Sequence, residues 1–392
     1  MKIRDKIAII GVGCTKFGDN FRMSYADMVI EATLEACQDA GIELKEIQAG
    51  WLGTAFPDSF GFEGRAGMSL AEPLGLKNIP ITRVSNYCAT GMDAFRNACF
   101  SILAGVYDIA LVVGVEKMRD LAPRDSLIAQ AVKTLHPTIG KGRTAPGVFA
   151  LYANRYFKEY GIDKSVLAKV AVKNHYNGSL NLKAHFQNEI TEEMVLKAPL
   201  IVDPLGLLDC CPTTDGAAAA IIAKASIANK FKSDPILLKG IDLAVSGGDR
   251  VFFDPDLSFL GFEATVKAAQ GAYAMAGIKN PRKEINFAEV HDCFTITEIL
   301  NYEDLGFCKK GEGGKFIIDG VSKLDGDLPV NPSGGLKTNG HPIGATGVRQ
   351  IYELTIQLRG KAGKRQVRKA QMGLAHNLGG PGTVASVCIL GS

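Results

Sequence analysis

Two stretches of this chain run through the same order of elements, and that repetition limits the folds open to it. Residues 25–41, "YADMVIEATLEACQDAG", carry apolar residues at helical spacing and stop at a glycine. "IQAGWLGTAF" then reads as a strand, "MDAFRNACFSILAG" as a second glycine-ended helix, and "DIALVVGVEKM" as a buried strand. In the second half, residues 263–277, "EATVKAAQGAYAMAG", are a helix, "INFAEVHDCF" a strand, "TGVRQIYELTIQLRG" a helix, and "KAQMGLAHNLGGPGTVASVCIL" two strands about a glycine turn. The closing "ASVCILG" echoes "IALVVGV". The pattern predicts an α/β fold built from a duplicated unit.

The interval between the two copies is different. Residues 119–205 hold fewer long apolar runs and more charge, as an insertion would. "CCPTTDGAAAAIIA" then returns the chain to the first unit as loop and strand. The expected division is 1–118 with 206–240 as the first half, 119–205 as the inserted loop domain, and 241–392 as the second half. A chain of 392 residues, 46% apolar, can bury cores of that number.

The formal net charge of +3 gives no reason to expect nucleic acid as a partner. Nine cysteines without a CxxC pair read as free thiols of a reducing, cytoplasmic compartment. No run is long enough to span a membrane. The "NGS" at Asn177 is read as a chance match to a glycosylation pattern.

Chemistry can sit at four places. Cys88, in "SNYCATGMDAFRNA", falls where an extended segment becomes a helix. Backbone N–H groups there favour a thiolate and can hold an oxyanion. A small buried residue is the competing reading. His341 lies in the glycine-rich "NPSGGLKTNGHPIGATGVRQ", where ordering the backbone costs entropy. It can serve as a base for Cys88, or be a loop histidine bonded to backbone. That stretch lacks the Gly-Lys-Ser/Thr ending of a phosphate loop, and "GVGCTKFG" fails the dinucleotide spacing. His291 and Cys293, in "HDCF", end a strand and point one way if the strand continues. "HNLGGPG", residues 376–382, offers Gly379 and Gly380 for close backbone approach or simply for a turn. No grouping along the chain has zinc spacing, so no metal is expected.

In this order, "NYCATG", "HDCF", "GHPIGATG" and a final glycine turn, the chain resembles the thiolase family, with the sterol-carrier-protein-2-type and archaeal acetyl-CoA C-acetyltransferases as the nearest pattern. The bacterial and mitochondrial thiolases of the longer-known type carry Asn-Glu-Ala-Phe in place of His291-Asp292-Cys293-Phe294, and a Cys-x-Gly motif in the last loop. Here Leu378 stands where that cysteine would be, and Gly380 matches the glycine. The resemblance implies a thiolase fold of duplicated βαβαβαββ halves in a five-layer αβαβα arrangement with an inserted loop domain.

It also implies roles. Cys88 would be the nucleophile and carry the acyl group. His341 would activate it, and His341 with His291 would form one oxyanion hole, His291 by orienting water. Cys293 would move the substrate α-proton. The backbone amides of Cys88 and Gly380 would form a second oxyanion hole. No tightly bound cofactor is implied; coenzyme A thioesters are substrates, and Lys141 and Arg143 are candidates for their phosphates. The implied reaction is reversible condensation of two acetyl-CoA to acetoacetyl-CoA and CoA. The alternatives are a 3-ketoacyl-CoA thiolase of acyl-chain degradation, a decarboxylating ketoacyl synthase, or a non-catalytic lipid-binding thiolase-like protein. Implied partners are a second copy, as homodimer or homotetramer. For an archaeal source they include hydroxymethylglutaryl-CoA synthase and a small OB-fold/zinc-ribbon bridging protein of the mevalonate pathway.

Overall fold

The computed structural model describes residues 3–56, 63–122, 144–247 and 257–392. In chain order its main elements begin with β1 (Ile7–Cys14), α1 (Tyr25–Ala40), β2 (Ala49–Gly53), α2 (Met68–Leu74), β3 (Ile81–Val84), α3 (Thr90–Leu103) and β4 (Ile109–Glu116). There follow α4 (Ala145–Tyr160), α5 (Lys164–Ser179), β5 (Gly216–Lys224) and β6 (Ile236–Val245). The chain closes with α6 (Glu263–Ala276), β7 (Phe287–Glu289), α7 (Thr295–Asp304), α8 (Thr346–Leu358), β8 (Met372–Gly379) and β9 (Val384–Gly391).

The named strands form one nine-stranded mixed sheet, folded about a short seam. At the seam β1 meets β6 antiparallel, with Ala8 opposite Leu237 and Ile9 opposite Ile236. Outward from β1 run β5, β4, β2 and β3; outward from β6 run β9, β8 and β7. A parallel bridge from Ala288 to Val330 extends the second series by one position. The pairings repeat step for step: antiparallel, antiparallel, parallel, parallel. This is the duplication that the sequence pattern predicts. One detail differs. By place in the sheet, the counterpart of "ASVCILG" in β9 is β5, and the counterpart of "IALVVGV" in β4 is β8. Apolar strands buried on both faces look alike in sequence, so only pairing tells them apart.

The layers follow from alternation along the strands. Ile7 and Ile9 of β1 enter a core with Met92 and Phe95 of α3 and Val348 and Ile351 of α8. Ala8 and Ile10 face α1 instead, with Met28, Val29 and Ala32. On the far side of the second half, α6 and α7 pack with α4 and α5 in a third core. Five layers result, helix, sheet, helix, sheet, helix, with α3 and α8 in the middle.

β6 runs from Ile236 and pairs with β9 from Leu237 to Val245, so this strand crosses the expected division between 240 and 241. The inserted region has a small cluster of its own, Ala168, Ala171, Ile190 and Val195, but Val148, Tyr156 and Leu167 share a larger core with Ile299 and Leu300 of the second half. The strand expected through "INFAEVHDCF" covers only Phe287–Glu289. Asn177 is buried, and its amide donates to the Asn331 carbonyl at 2.9 Å, so the "NGS" match is not presented to solvent. No helix among the described residues is long and apolar enough to cross a membrane.

The central helices touch through glycines. A Cβ at Gly347 would lie 2.2 Å from the Met92 nitrogen, and one at Gly91 would lie 2.6 Å from the Gly344 oxygen. Backbone on both sides leaves nothing free to yield. Gly347→Ala is expected to destabilise the fold by about 1–3 kcal/mol, read as a lower urea midpoint with an unchanged slope; an unshifted midpoint would refute this packing.

Candidate active site

The duplication places the thiol and the imidazole at matching positions. Cys88 follows β3 and precedes α3. His341 follows the Val330 bridge and precedes α8. His291 and Cys293 follow β7, the counterpart of β2, and Gly380 turns β8 into β9. The counterpart of that last turn, between β4 and β5, is where the first half takes its insertion.

Cys88 is set by a tight turn. Tyr87 holds φ at 48°, a left-handed conformation that side chains resist. The Thr90 hydroxyl secures it, donating to the Tyr87 carbonyl at 2.5 Å and accepting from the Asn86 amide at 2.7 Å. Gly379 lets β8 come close: a Cβ there would lie 3.0 Å from the Cys88 and Ala89 nitrogens. The backbone amides of Gly380 and of Cys88 itself both act on the Cys88 sulfur. Sequence reasoning expected the helix start to favour a thiolate. Burial outweighs it and pushes the thiol up to about 12, against the pull of those amides.

His341 is locked in one orientation. Its Nδ1 lies 2.7 Å from the Thr346 hydroxyl, which itself donates to the Pro342 carbonyl at 3.1 Å. A hydroxyl has one proton, so Thr346 accepts from Nδ1–H and the Nε2 lone pair is left open. That Nε2 is buried with no hydrogen-bond partner among the described residues. Burial lowers the imidazole to about 3, so it rests neutral.

"HDCF" alternates as expected although the strand has ended. Asp292 turns away, accepting from the Leu336 amide at 2.6 Å, the Lys337 amide at 3.2 Å and the Asn174 side chain at 2.8 Å. His291 and Cys293 turn inward, held by Asn301 on the His291 carbonyl at 2.8 Å and by the Cys211 amide on the Cys293 carbonyl at 2.9 Å. Burial lowers His291 well below its usual range and raises Cys293 well above its own.

These groups converge. Ligating atoms of Cys88, His291 and His341 lie within 4.8 Å of one another, and the two rings meet edge to face with centroids 5.0 Å apart. Together with Cys293, Leu378 and Gly380 they line a cavity of about 170 Å³. A smaller apolar annex of about 80 Å³ adjoins Cys88 between Phe56, Tyr87, Val148 and Phe149. A neutral base beside a buried thiol, with amide donors around the sulfur, can take the thiol proton and hold an oxyanion. Lys141 and Arg143 lie outside the described residues.

Several contributors were not singled out in the sequence. The Asn377 amide donates to His291 Nδ1 at 3.3 Å, which leaves His291 a proton on Nε2 to donate into the cavity. Asn377 stands beside His376 inside a motif read only for its glycines. Thr346 reads from sequence as an ordinary helix start. Cys210 and Cys211 also line the cavity, brought there from a loop that sequence tied only to the strand after it.

The chain belongs to the thiolase family. Residues 7–226 match the family described as "Thiolase, N-terminal domain", and residues 253–392 match "Thiolase C-terminal domain-like". Acetyl-CoA acetyltransferase of Methanothermobacter thermautotrophicus is 43% identical over 98% of this chain and 98% of its own. Sterol carrier protein 2 of Bos taurus is 35% identical over 97% of this chain and 72% of its own. Among solved structures, the Ltp2-ChsH2(DUF35) aldolase superposes with a TM-score of 0.86 at 26% identity, covering 100% of this chain and 99% of that one.

A thiol held up by burial next to a neutral imidazole is no resting ion pair. Alkylation of Cys88 by iodoacetamide is therefore expected to accelerate as pH rises through the neutral range, with no inflection near the free-histidine value of about 6.5. A rate already on a plateau from pH 6 to 8 would show a preformed thiolate instead.

Proposed function

We propose that this member of the thiolase family transfers acyl groups between coenzyme A thioesters, with Cys88 as the carrier. The observation that supports it is the buried Nε2 of His341, without a hydrogen-bond partner among the described residues, on a ring that shares a cavity with the Cys88 thiol. His341 takes the thiol proton as sulfur attacks the thioester carbonyl, and passes it to the departing CoA sulfur. The amides of Cys88 and Gly380 serve the tetrahedral oxyanion.

In the condensing direction a second acetyl-CoA follows. Cys293 passes its thiol proton to His341 Nε2 and, as thiolate, takes the α-proton; burial disfavours that ion but makes it a strong base. His291 Nε2–H and the His341 Nε2–H so formed hold the enolate oxygen. The enolate attacks the acyl-enzyme, acetoacetyl-CoA leaves, and the Cys88 sulfur regains a proton from His341 while Cys293 keeps the α-proton. Thiolysis is the reverse. The apolar annex beside Cys88 accommodates the tail of a short acyl group, and the length it accepts separates acetyl transfer from 3-ketoacyl-chain degradation.

A second reading is a lipid-binding protein of the same fold without turnover. The un-ionised state of Cys88 and the apolar annex support it. So does the similarity to sterol carrier protein 2 and to a Caenorhabditis protein called non-specific lipid-transfer protein-like 2.

One experiment separates them. Incubation with radiolabelled acetyl-CoA is expected to label the wild type and leave Cys88→Ala unlabelled. Cys293→Ala is expected to keep the label while α-proton exchange falls by about 10²–10⁴-fold. A thiolysis profile across ketoacyl chain lengths then assigns the substrate class. Acyl-CoA that binds without labelling Cys88 or being cleaved would establish the carrier reading.

A further inference from the structure

We propose that Cys88, His291 and His341 form a site for a borderline divalent cation, zinc in the first instance, and that occupancy blocks the nucleophile. The three ligands come from distant parts of the chain, at positions 88, 291 and 341, so no motif along the chain reveals them. In space their ligating atoms lie within 4.8 Å of one another. A tetrahedral zinc site with bonds of 2.0–2.3 Å sets its ligand atoms about 3.3–3.8 Å apart. Small side-chain rotations therefore close the gap.

The donor chemistry fits. One thiolate and two imidazoles are a preferred set for zinc, with water in the fourth position. His341 is already prepared: Thr346 holds the proton on Nδ1, and the ring lines the cavity with its Nε2 unpartnered among the described residues. His291 needs one adjustment. As it stands, Asn377 donates to its Nδ1, and the Asn377 Oδ1 is buried with no hydrogen-bond partner among the described residues. Rotating that amide by half a turn presents Oδ1 to an Nδ1–H, which frees the Nε2 lone pair for a metal.

Binding releases the Cys88 thiol proton to solvent and forms a sulfur–metal bond. The bound cation and an acyl group on Cys88 then exclude each other, so acylation shifts the metal equilibrium by mass action. The catalytic groups thus double as a metal-sensitive lock.

The test uses cobalt as the probe for zinc. The full-length protein, free of substrate, is titrated with Co²⁺ and its thiolate-to-cobalt charge-transfer band recorded. One equivalent is expected, with the band absent in Cys88→Ser and in wild type alkylated at Cys88. Thr346→Val, which releases His341 Nδ1, is expected to weaken cobalt binding by about 10–100-fold. Zinc is expected to displace the cobalt and EDTA to strip it. No band in the wild type overturns the proposal, and so does a band that survives alkylation of Cys88. This spectrum requires no turnover, so it stands or falls apart from the acyltransferase reading, which the labelling experiment decides.

Discussion

The buried carboxylate of Glu116 ties the two halves together at the point where chemistry gathers. It ends β4 in the first half and accepts four hydrogen bonds. Thr54 donates at 3.1 Å, the Ala55 amide at 2.9 Å, the Phe56 amide at 3.0 Å and the Gly344 amide at 2.8 Å. Burial raises its pKa, and these donors oppose that rise. A charge so placed is tolerated only when its lone pairs are met. Gly344 has no room for a side chain there, since a Cβ would sit 2.9 Å from the Glu116 oxygen and 2.6 Å from the Gly53 carbonyl. The segment that carries His341 is thereby held against the strand ends of the half that carries Cys88.

The duplicated fold explains why those two residues meet. Each half sends a loop from its third strand position into a central helix, α3 or α8, and the two helices pack on each other through Gly91 and Gly347. The helix starts are brought together, and with them Cys88 and His341. The halves then diverge. The second half turns tightly at Gly380, which delivers an amide to the sulfur. The first half uses the matching position for its insertion, whose helix α4 walls the cavity with Phe149. One architecture supplies similar geometry twice, and different local sequences turn it into thiol, base and cover.

Burial sets the resting state of the site. It pushes the Cys88 thiol to about 12 and lowers His341 to about 3, so both groups stay neutral. In the proposed acyl transfer a proton moves between them only when charge forming on a substrate can be met by the amides around the sulfur. The same dry setting leaves His341 Nε2 without a partner among the described residues. An acceptor kept open in this way serves a thiol proton and a cation equally well.

The local sequence by itself determined the duplicated α/β order, the turn at each glycine, and Cys88, His291, Cys293, His341 and Gly380 as residues to examine. Those signals are local: apolar periodicity, helix ends and short motifs depend on neighbours in the chain. Strand identity was less legible, because β4, β5, β8 and β9 are all mostly apolar and buried on both faces. Only the tertiary structure decided that β9 matches β5, that the insertion shares a core with the second half, and that burial overrides the helix start at Cys88. Thr346, Asn377 and Glu116 gained their roles in the same way. A tautomer, a pKa and a meeting of ligands depend on atoms brought together from far along the chain, and no local pattern records that proximity.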